Sequence, residues 1–243
     1  MSEKLLDRAK ICVPIVAKNK SEIIKQLNDI IEKDKTKKID IVEFRADYYD
    51  ALDNYDILEE ILTDIHNKLN LSDIKLLFTI RSEGEGGEKL SFKDPEINDI
   101  NLYVAENKLS DIIDIELFSD VKKADKVIRL ARENGIKIIM SSHDFNKTPS
   151  IEEMVERYKA MRERGADIIK LAVMPEDSDD VDKLINAVSI IYNEYTDIHV
   201  VGISMGELGV KTRLLGYKYG SCLTFATVGK ASAPGQVSVD ELY

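Results

Sequence analysis

One lysine stands inside an apolar run and has the type and setting needed for covalent chemistry. Lys170 is the only charged residue of the segment 168–173, whose other members are isoleucine, leucine, alanine and valine. An ammonium group among aliphatic side chains is costly unless it is paired, reaches solvent or loses its charge. A desolvated lysine has a lowered pKa, and its neutral amine can form a Schiff base with a ketone. The segment therefore predicts either a structural lysine at an edge strand or a covalent catalyst.

A histidine ends another apolar run and could serve as the matching base. His143 follows the segment 138–142, which reads IIMSS. A Schiff base acts as an electron sink, and an imidazole near neutral pKa can then remove a proton from the adjacent carbon. The pair favours β-elimination or aldol-type chemistry that needs no cofactor. Three arginines, Arg45, Arg81 and Arg213, are suited to bind a carboxylate, a phosphate or hydroxyl groups, and their charge should lower the lysine pKa further.

The elements that position these residues follow a simple alternation. Segments of helical period separate eight apolar, β-branched runs, which begin near residues 11, 39, 75, 112, 136, 167, 198 and 221. Alternating strands and helices predict a parallel sheet. Eight such units in 243 residues fit an α/β protein with a closed (β/α)8 TIM barrel, formed as a single domain over residues 1–243. A doubly wound open sheet is the alternative, but no glycine precedes Gly84 to form its usual first turn.

In such a barrel the active site lies at the carboxyl ends of the strands. Ionisable residues are concentrated at the predicted strand ends. For two of them, Glu43 and Arg45, a purely structural ion pair is the alternative to a role in the active site. The candidates on the first six strands are Glu43, Arg45, Arg81, Asp114, Glu116, His143 and Lys170.

Two other kinds of site, a metal centre and a nucleophilic serine, are alternatives to this one. A metal centre is not expected, because His66 lies on a surface helix while His143 and His199 lie at opposite ends of their strands. The segment 202–206, GISMG, matches the nucleophile elbow of serine hydrolases. That fold requires a histidine after the serine, and none follows Ser204 in this chain.

A glycine-rich loop follows the third predicted strand. Glycines at positions 84, 86 and 87 could cradle a phosphate, but Glu83, Glu85 and Glu88 lie between and beside them. Because these carboxylates would repel an anion, we interpret the segment as an active-site loop that carries a useful carboxylate.

Composition narrows the class of protein. The net charge of −11 argues against nucleic-acid binding. No apolar run reaches the ~18–20 residues that span a membrane, and the first ten residues do not read as a signal peptide. Cys12 and Cys222 lie in apolar runs and are interpreted as reduced thiols. We therefore expect a soluble cytoplasmic protein whose partner is a small molecule.

Seven segments, in order and spread over almost the whole chain, resemble the type I 3-dehydroquinate dehydratases, a Schiff-base family of class I aldolase-like barrels. The segments are VEFRAD, LLFTIRS followed by EGGE, DIIDIEL, SSHDFNKTP, GADIIKLAVMP, SMGELG followed by TRLLG, and SAPGQ.

The resemblance implies dehydration of 3-dehydroquinate to 3-dehydroshikimate in the shikimate pathway of aromatic amino acid biosynthesis. Lys170 would form an imine with the C3 ketone, and His143 would take the C2 proton and assist loss of the C1 hydroxyl. Glu85 would support His143, and no metal or cofactor is implied. The expected substrate-binding residues are Glu43, Arg45 and Arg81 for the C4 and C5 hydroxyls, Arg213 with Gln236 for the carboxylate, and Ser232 with Gln236 on a loop that closes over the ligand.

The chain departs from the family pattern at both ends. A shortened N-terminus and a short last helix are expected in place of a hairpin and a longer helix, and the resemblance also implies a homodimer. Two alternatives stay open at this point: another class I Schiff-base aldolase barrel, and a barrel that binds a metabolite without catalysis. Pure binding would need neither Lys170 nor His143.

Overall fold

The computed structural model describes residues 8–90, 94–229 and 233–242 of the chain. It contains a barrel of eight strands, and the helices α1 to α7 each follow the strand of the same number. The predicted (β/α)8 barrel is therefore confirmed. The strands are β1 (Lys10–Ile15), β2 (Ile41–Arg45), β3 (Lys75–Thr79), β4 (Ile112–Glu116), β5 (Lys137–Asp144), β6 (Ile168–Val173), β7 (His199–Ser204) and β8 (Leu223–Thr227). The helices are α1 (Lys20–Asp34), α2 (Tyr55–Leu69), α3 (Asp94–Glu106), α4 (Val121–Glu133), α5 (Ile151–Glu163), α6 (Ser178–Glu194) and α7 (Val210–Leu215).

Strands that are consecutive in the chain pair in parallel from β1 to β7, and β8 pairs with the other edge of β1. The remaining edges, those of β7 and β8, meet at a narrow seam. There the backbone N–H of Cys222 donates to the carbonyl of Val200 at 2.9 Å, beside a single bridge between Val200 and Ser221. This contact closes the barrel.

The period of two along each strand separates the barrel interior from the outer layer. The interior begins with an apolar cluster that includes Ile41, Leu77, Ile112 and Ile139. Residues two positions further along the same strands point the same way, so the polar ends of the strands emerge above this cluster. The ionisable side chains therefore lie directly above this apolar cluster, at the carboxyl ends of the strands.

The outer layer packs the helices against the sheet. Its buried members alternate with the interior ones and include Val42, Phe44, Leu76 and Phe78. Five helices begin with a side chain that accepts a backbone N–H of the first turn, and such a cap stabilises a helix by about 1 kcal/mol. The capping residues are Asn19, Asn54, Asp120, Ser150 and Asp177.

The amino-terminal end of the barrel carries a repeated backbone contact. An aspartate precedes β2, β4 and β6, and its carboxylate accepts an N–H from the preceding strand. The three contacts are Ile11 N to Asp40 at 2.8 Å, Leu76 N to Asp111 at 2.8 Å, and Ile138 N to Asp167 at 2.9 Å. Each contact fixes the register of one strand pair, because a slip by one residue would break it and turn every side chain to the other face.

The carboxyl-terminal segment adds little regular structure. A two-residue strand β9 (Val237–Ser238) pairs in parallel with β8, and a single 3-10 turn, Val239–Glu241, follows it. The expected short last helix is thus one turn. Among the described residues, no helix combines the length and apolar character needed to cross a membrane.

Candidate active site

Lys170 and His143 lie on adjacent strands and face the same cleft. In the β5–β6 register, Ser141 is opposite Lys170 and His143 is opposite Ala172. The cleft holds about 520 Å³ of space, including the solvent at its mouth. Its lining residues are Glu43, Arg45, Arg81, Glu85, Gly86, His143, Phe145, Lys170, Ala172, Ile203, Met205, Arg213, Phe225, Ala233 and Gln236.

The lysine is almost fully enclosed. Lys170 is 5% exposed, its Nζ lies 4.3 Å from the ring centre of Phe225 and 3.9 Å from Oδ2 of Asp114. Burial lowers the pKa of the lysine, and Arg81 lowers it further, while Asp114 opposes both. The direction agrees with the expectation from sequence. A larger fraction of the group is therefore the free amine at neutral pH than for an exposed lysine.

The histidine is held by one carboxylate through two contacts. Oε2 of Glu85 lies 2.9 Å from Nδ1 of His143 and accepts the backbone N–H of the same residue at 3.0 Å. Burial lowers the pKa of His143 well below its usual value, and the charges of Arg81 and Lys170 act in the same direction. Burial, followed by the charge of Glu116, raises the pKa of Glu85 to about 8. The imidazole is therefore neutral and able to accept a proton, with Nδ1 committed to Glu85 and Nε2 outside that contact.

Glycines bring Glu85 to this position. Glu83–Glu85 forms a 3-10 turn that ends at Gly86, whose φ of 84° lies in the left-handed region. A Cβ at Gly87 would stand 2.0 Å from the carbonyl oxygen of Arg81. The loop can therefore fold directly onto the end of β3, which agrees with its interpretation as a loop that carries a carboxylate.

Two of the three arginines are matched by acids. Arg45 binds Asp47 through two contacts of 2.7 and 2.8 Å, so the alternative of an ion pair between Glu43 and Arg45 is wrong. Glu43 instead accepts a hydrogen bond from the Thr79 hydroxyl at 2.9 Å. Arg81 also has acidic partners, so the positive charges of Arg45 and Arg81 are both compensated.

Arg81 lies at the centre of an ionic network. Its guanidinium is 3.0 Å from Asp114, 2.9 Å from Glu116 and 3.6 Å from Glu85. Burial would lower the pKa of this arginine, but these three carboxylates and Glu43 together raise it. Arg81 is therefore a permanent cation that touches acids on both sides of the cleft and connects them.

Arg213 differs from both. It is 2% exposed, and among the described residues its terminal N–H groups reach only the carbonyls of Phe225 at 3.3 Å and Pro234 at 3.2 Å. Within the part of the chain that the structure describes, no carboxylate lies within ion-pair distance of it, and its Nε has no hydrogen-bond partner. Burial lowers its pKa to about 10. A buried cation without a counter-ion favours an anionic ligand.

The loop after β8 completes the cleft. Gln236 lines it and donates to the carbonyl of Ala226 at 3.4 Å. A Cβ at Gly235 would stand 2.2 Å from the carbonyl oxygen of Gly206, so this loop lies directly against the end of β7. Ser232, which sequence reasoning included in the site, lies outside the described residues.

The structure thus brings eight of the nine expected site residues to one cleft, and comparison with known proteins identifies the kind of protein that carries it. The model of the family described as type I 3-dehydroquinase matches residues 11–243. The chain belongs to the type I 3-dehydroquinase family. It is 42% identical over 235 residues to the 3-dehydroquinate dehydratase of Clostridioides difficile, an alignment that covers 97% of this chain and 89% of that one. Its identity to the Bacillus licheniformis 3-dehydroquinate dehydratase is 40% over 235 residues, covering 97% and 90%.

Solved dehydroquinases share the architecture. A type I enzyme from Clostridium difficile, described with covalently modified comenic acid, superposes with a TM-score of 0.88 at 41% identity and covers 96% of this chain and 89% of that one. The Geobacillus kaustophilus 3-dehydroquinate dehydratase gives a TM-score of 0.90 at 30% identity, with 97% and 88% covered. Membership of the family makes this chain an enzyme of the lyase class.

Sequence reasoning left several residues in or beside this cleft without a role. Asp47 was not proposed although it stands two residues after Arg45, because it follows the strand in a 3-10 turn. Asp114 and Glu116 were noticed as polar strand residues but received no role. Phe225 gave no signal beyond its apolar character. Among the described residues, no group of histidine, cysteine, aspartate and glutamate is arranged to hold a metal ion.

Proposed function

We propose that this chain dehydrates 3-dehydroquinate to 3-dehydroshikimate in the shikimate pathway, through a Schiff base on Lys170 and proton transfer by His143. The observation that supports this most strongly is the meeting of a buried lysine and a neutral imidazole in a cleft that also holds Arg213, a cation without an acidic partner. The substrate supplies a ketone for the lysine, an acidic C–H for the histidine and a carboxylate for the arginine.

The first step joins the substrate to the enzyme. The Lys170 amine adds to the C3 carbonyl carbon, and the carbonyl electron pair moves to oxygen. The nitrogen passes one of its protons to that oxygen, which takes a second proton from solvent and leaves as water, while the freed nitrogen lone pair completes the C=N bond. The lowered pKa of Lys170 supports this step because only the neutral amine is a nucleophile.

The second step eliminates water. The His143 imidazole removes a proton from C2, and the C–H electron pair flows into the iminium to give an enamine. The enamine electrons then expel the C1 hydroxyl, which takes a proton from the imidazolium and leaves as water. Hydrolysis of the remaining iminium releases the ketone product and the free amine. Through its contact with Nδ1, Glu85 fixes the ring orientation for both transfers.

The remaining polar groups suit the rest of the substrate. Arg213 binds the carboxylate, with Gln236 beside it on the loop after β8 and Ser232 on the same loop. Glu43, Arg45 and Arg81 bind the C4 and C5 hydroxyls. The pairing of Arg45 with Asp47 and of Arg81 with three acids leaves these groups better suited to neutral hydroxyls than to a second anion.

The carboxylate assignment predicts a binding defect for Arg213→Ala. We expect KM to rise about 30- to 5000-fold, the range for truncating one partner of a buried charge pair, with a smaller effect on kcat. Steady-state kinetics on 3-dehydroquinate measures both. Arg129, an exposed arginine of α4, is the matched control, and Arg129→Ala should leave KM unchanged. An Arg213→Ala enzyme with wild-type KM would remove the carboxylate from this position.

Borohydride trapping tests the proposed function directly. Incubation with 3-dehydroquinate and sodium borohydride should inactivate the enzyme and leave a reduced adduct, which peptide mass mapping should find on Lys170. An adduct on another lysine, or none, would contradict the Schiff base at this residue. An adduct that forms only with a keto-acid or sugar ketone, and not with 3-dehydroquinate, would favour a different class I aldolase.

The proposal extends to the setting of the enzyme. We place it in the cytoplasm, as a homodimer formed from a single-domain chain. Both described cysteines, Cys12 and Cys222, are free thiols, which agrees with a reducing compartment.

A further inference from the structure

We propose that Asp114 is a positioning residue that serves as the counter-ion of the Lys170 Schiff base. The inference rests on the proposed function and adds to it, because it says how the barrel holds a permanent positive charge on the imine nitrogen.

The geometry of Asp114 supports this role. It lies on β4, two strands from Lys170, and its side chain is 1% exposed. Oδ1 accepts the hydroxyl of Ser141 at 2.6 Å, and Ser141 is the residue opposite Lys170 in the β5–β6 register. Oδ2 lies 3.0 Å from Arg81 Nη2 and 3.9 Å from Lys170 Nζ. Ser141 thus fixes the carboxylate so that its second oxygen faces the lysine.

That second oxygen retains capacity for another partner. Oδ2 makes an ion pair with Arg81, but among the described residues no donor has hydrogen-bond geometry to it. A protonated imine keeps one N–H, and it needs an acceptor because a buried charge is costly without one. Asp114 supplies the nearest carboxylate oxygen to that nitrogen.

No other group around the lysine fills this position as well. Among the described residues, the ionisable and aromatic groups that face Lys170 are Cys12 from β1, Glu43 from β2, Arg81 from the segment after β3, Asp114 from β4, His143 from β5 and Phe225 from β8. Glu43 is already bound by the Thr79 hydroxyl. Of the carboxylates in the set, Asp114 alone lies within ion-pair distance of Nζ among the described residues.

Asp114 does not reverse the effect of burial on the pKa of the free lysine. Burial and Arg81 together outweigh Asp114, so the pKa of Lys170 stays lowered. Arg81 partly neutralises the negative charge of Asp114 through its own ion pair. The same group can therefore permit a neutral amine before reaction and stabilise the iminium after it.

A simpler role for Asp114 would be to anchor Arg81. Glu116 also anchors Arg81, at 2.9 Å, and accepts the backbone N–H of Ser82 at 2.9 Å. Glu116 stands two residues further along β4. Among the described residues, it makes no ion pair with Lys170. Glu116→Gln is therefore the matched control for Asp114→Asn, because both changes remove a charge from Arg81 but only one removes it from the lysine.

The test measures the titration of Lys170 without substrate. Wild type, Asp114→Asn and Glu116→Gln are labelled with trace acetic anhydride across a pH series, and acetylation of Lys170 is quantified by peptide mass mapping. Loss of a nearby negative charge disfavours the ammonium form, so the midpoint should move to lower pH by about one unit in Asp114→Asn. In Glu116→Gln the shift should be less than half as large. Circular dichroism across the same pH series confirms that both variants are folded, because an unfolded chain would expose Lys170 and give the midpoint of an ordinary lysine.

Borohydride trapping with 3-dehydroquinate separates this inference from the proposed function. Asp114→Asn should accumulate the Lys170 adduct at least tenfold more slowly than Glu116→Gln. A wild-type adduct on Lys170 together with equal midpoints and equal trapping rates in the two variants overturns the role of Asp114 alone. Absence of the wild-type adduct overturns the proposed function and this inference together. If Asp114→Asn does not fold, Asp114→Ala with added formate takes its place, and formate should restore the wild-type midpoint; failure to do so also overturns the inference.

Discussion

Turnover of 3-dehydroquinate should fall about 10⁶-fold when Lys170 is replaced by alanine, the order of loss seen when a covalent nucleophile is removed from an enzyme. The ligand should still bind, because Arg213 and the groups for the hydroxyls remain. Steady-state assays measure the loss, and isothermal titration calorimetry measures the binding. The fold should be retained, since Asp114 keeps its contact with Arg81 at 3.0 Å and no carboxylate is left without a partner.

Lys137→Ala is the matched control for this change. Lys137 begins β5 at the opposite end of the barrel and pairs with Asp167 at 2.7 Å. Its removal should leave kcat unchanged, since it takes away only an exposed ion pair. Residual activity of Lys170→Ala above about a thousandth of wild type, with contamination excluded, would rule out an obligatory Schiff base.

Replacing His143 by alanine should have the next largest effect. We expect kcat to fall about 10²- to 10⁴-fold, the usual contribution of a positioned acid–base group, while imine formation continues. Borohydride with 3-dehydroquinate should therefore still modify Lys170 in this variant, so that chemistry fails after attachment. A single-turnover experiment followed by mass mapping would show the adduct without formation of product.

His199→Ala serves as the control, because His199 begins β7 and lies at the other end of the barrel. It should behave as wild type in both assays. Wild-type turnover in His143→Ala would remove His143 from the role of base. Loss of the adduct as well as of turnover would mean that the histidine is needed already for attachment.

The strand pattern could be predicted from sequence because it depends on local periodicity. Each of the eight apolar runs contains one barrel strand, and the boundaries differ by only a few residues. The place of Lys170 followed from that count, because the sixth strand of a parallel barrel must be next to the fifth, which ends in His143. Because consecutive strands of the chain are neighbours in the sheet, Lys170 and His143 could be placed side by side without knowledge of any contact across the barrel.

The partners of the charged groups could not be predicted in the same way. The sequence places Arg45 and Glu43 on one face of β2, but the arginine turns to Asp47 in the following 3-10 turn. The approach of Asp114 to Lys170 joins strands that are not neighbours. Such contacts depend on how far each side chain reaches over the curved interior, and spacing along the chain does not contain that distance. The link between Glu85 and His143 was available only through the family resemblance.

The carboxylate contacts at the amino-terminal end of the barrel occur at three of the four even-numbered strands. At the fourth, β8, the corresponding position is Cys222, whose backbone bonds Val200 as Asp40 bonds Ile11 but whose thiol is a poor acceptor. The first six strands are therefore tied pair by pair by carboxylates, whereas the closing pair is tied by a neutral acceptor, the Ser221 hydroxyl, which accepts the N–H of Gly202 at 3.3 Å. Because the seam has a single bridge and a weaker side-chain contact, we expect local opening to begin with the parting of β7 from β8, which leaves the β5–β6 pair with its lysine and histidine intact. Such an opening would instead disturb Arg213 and the loop after β8, which bridge this seam.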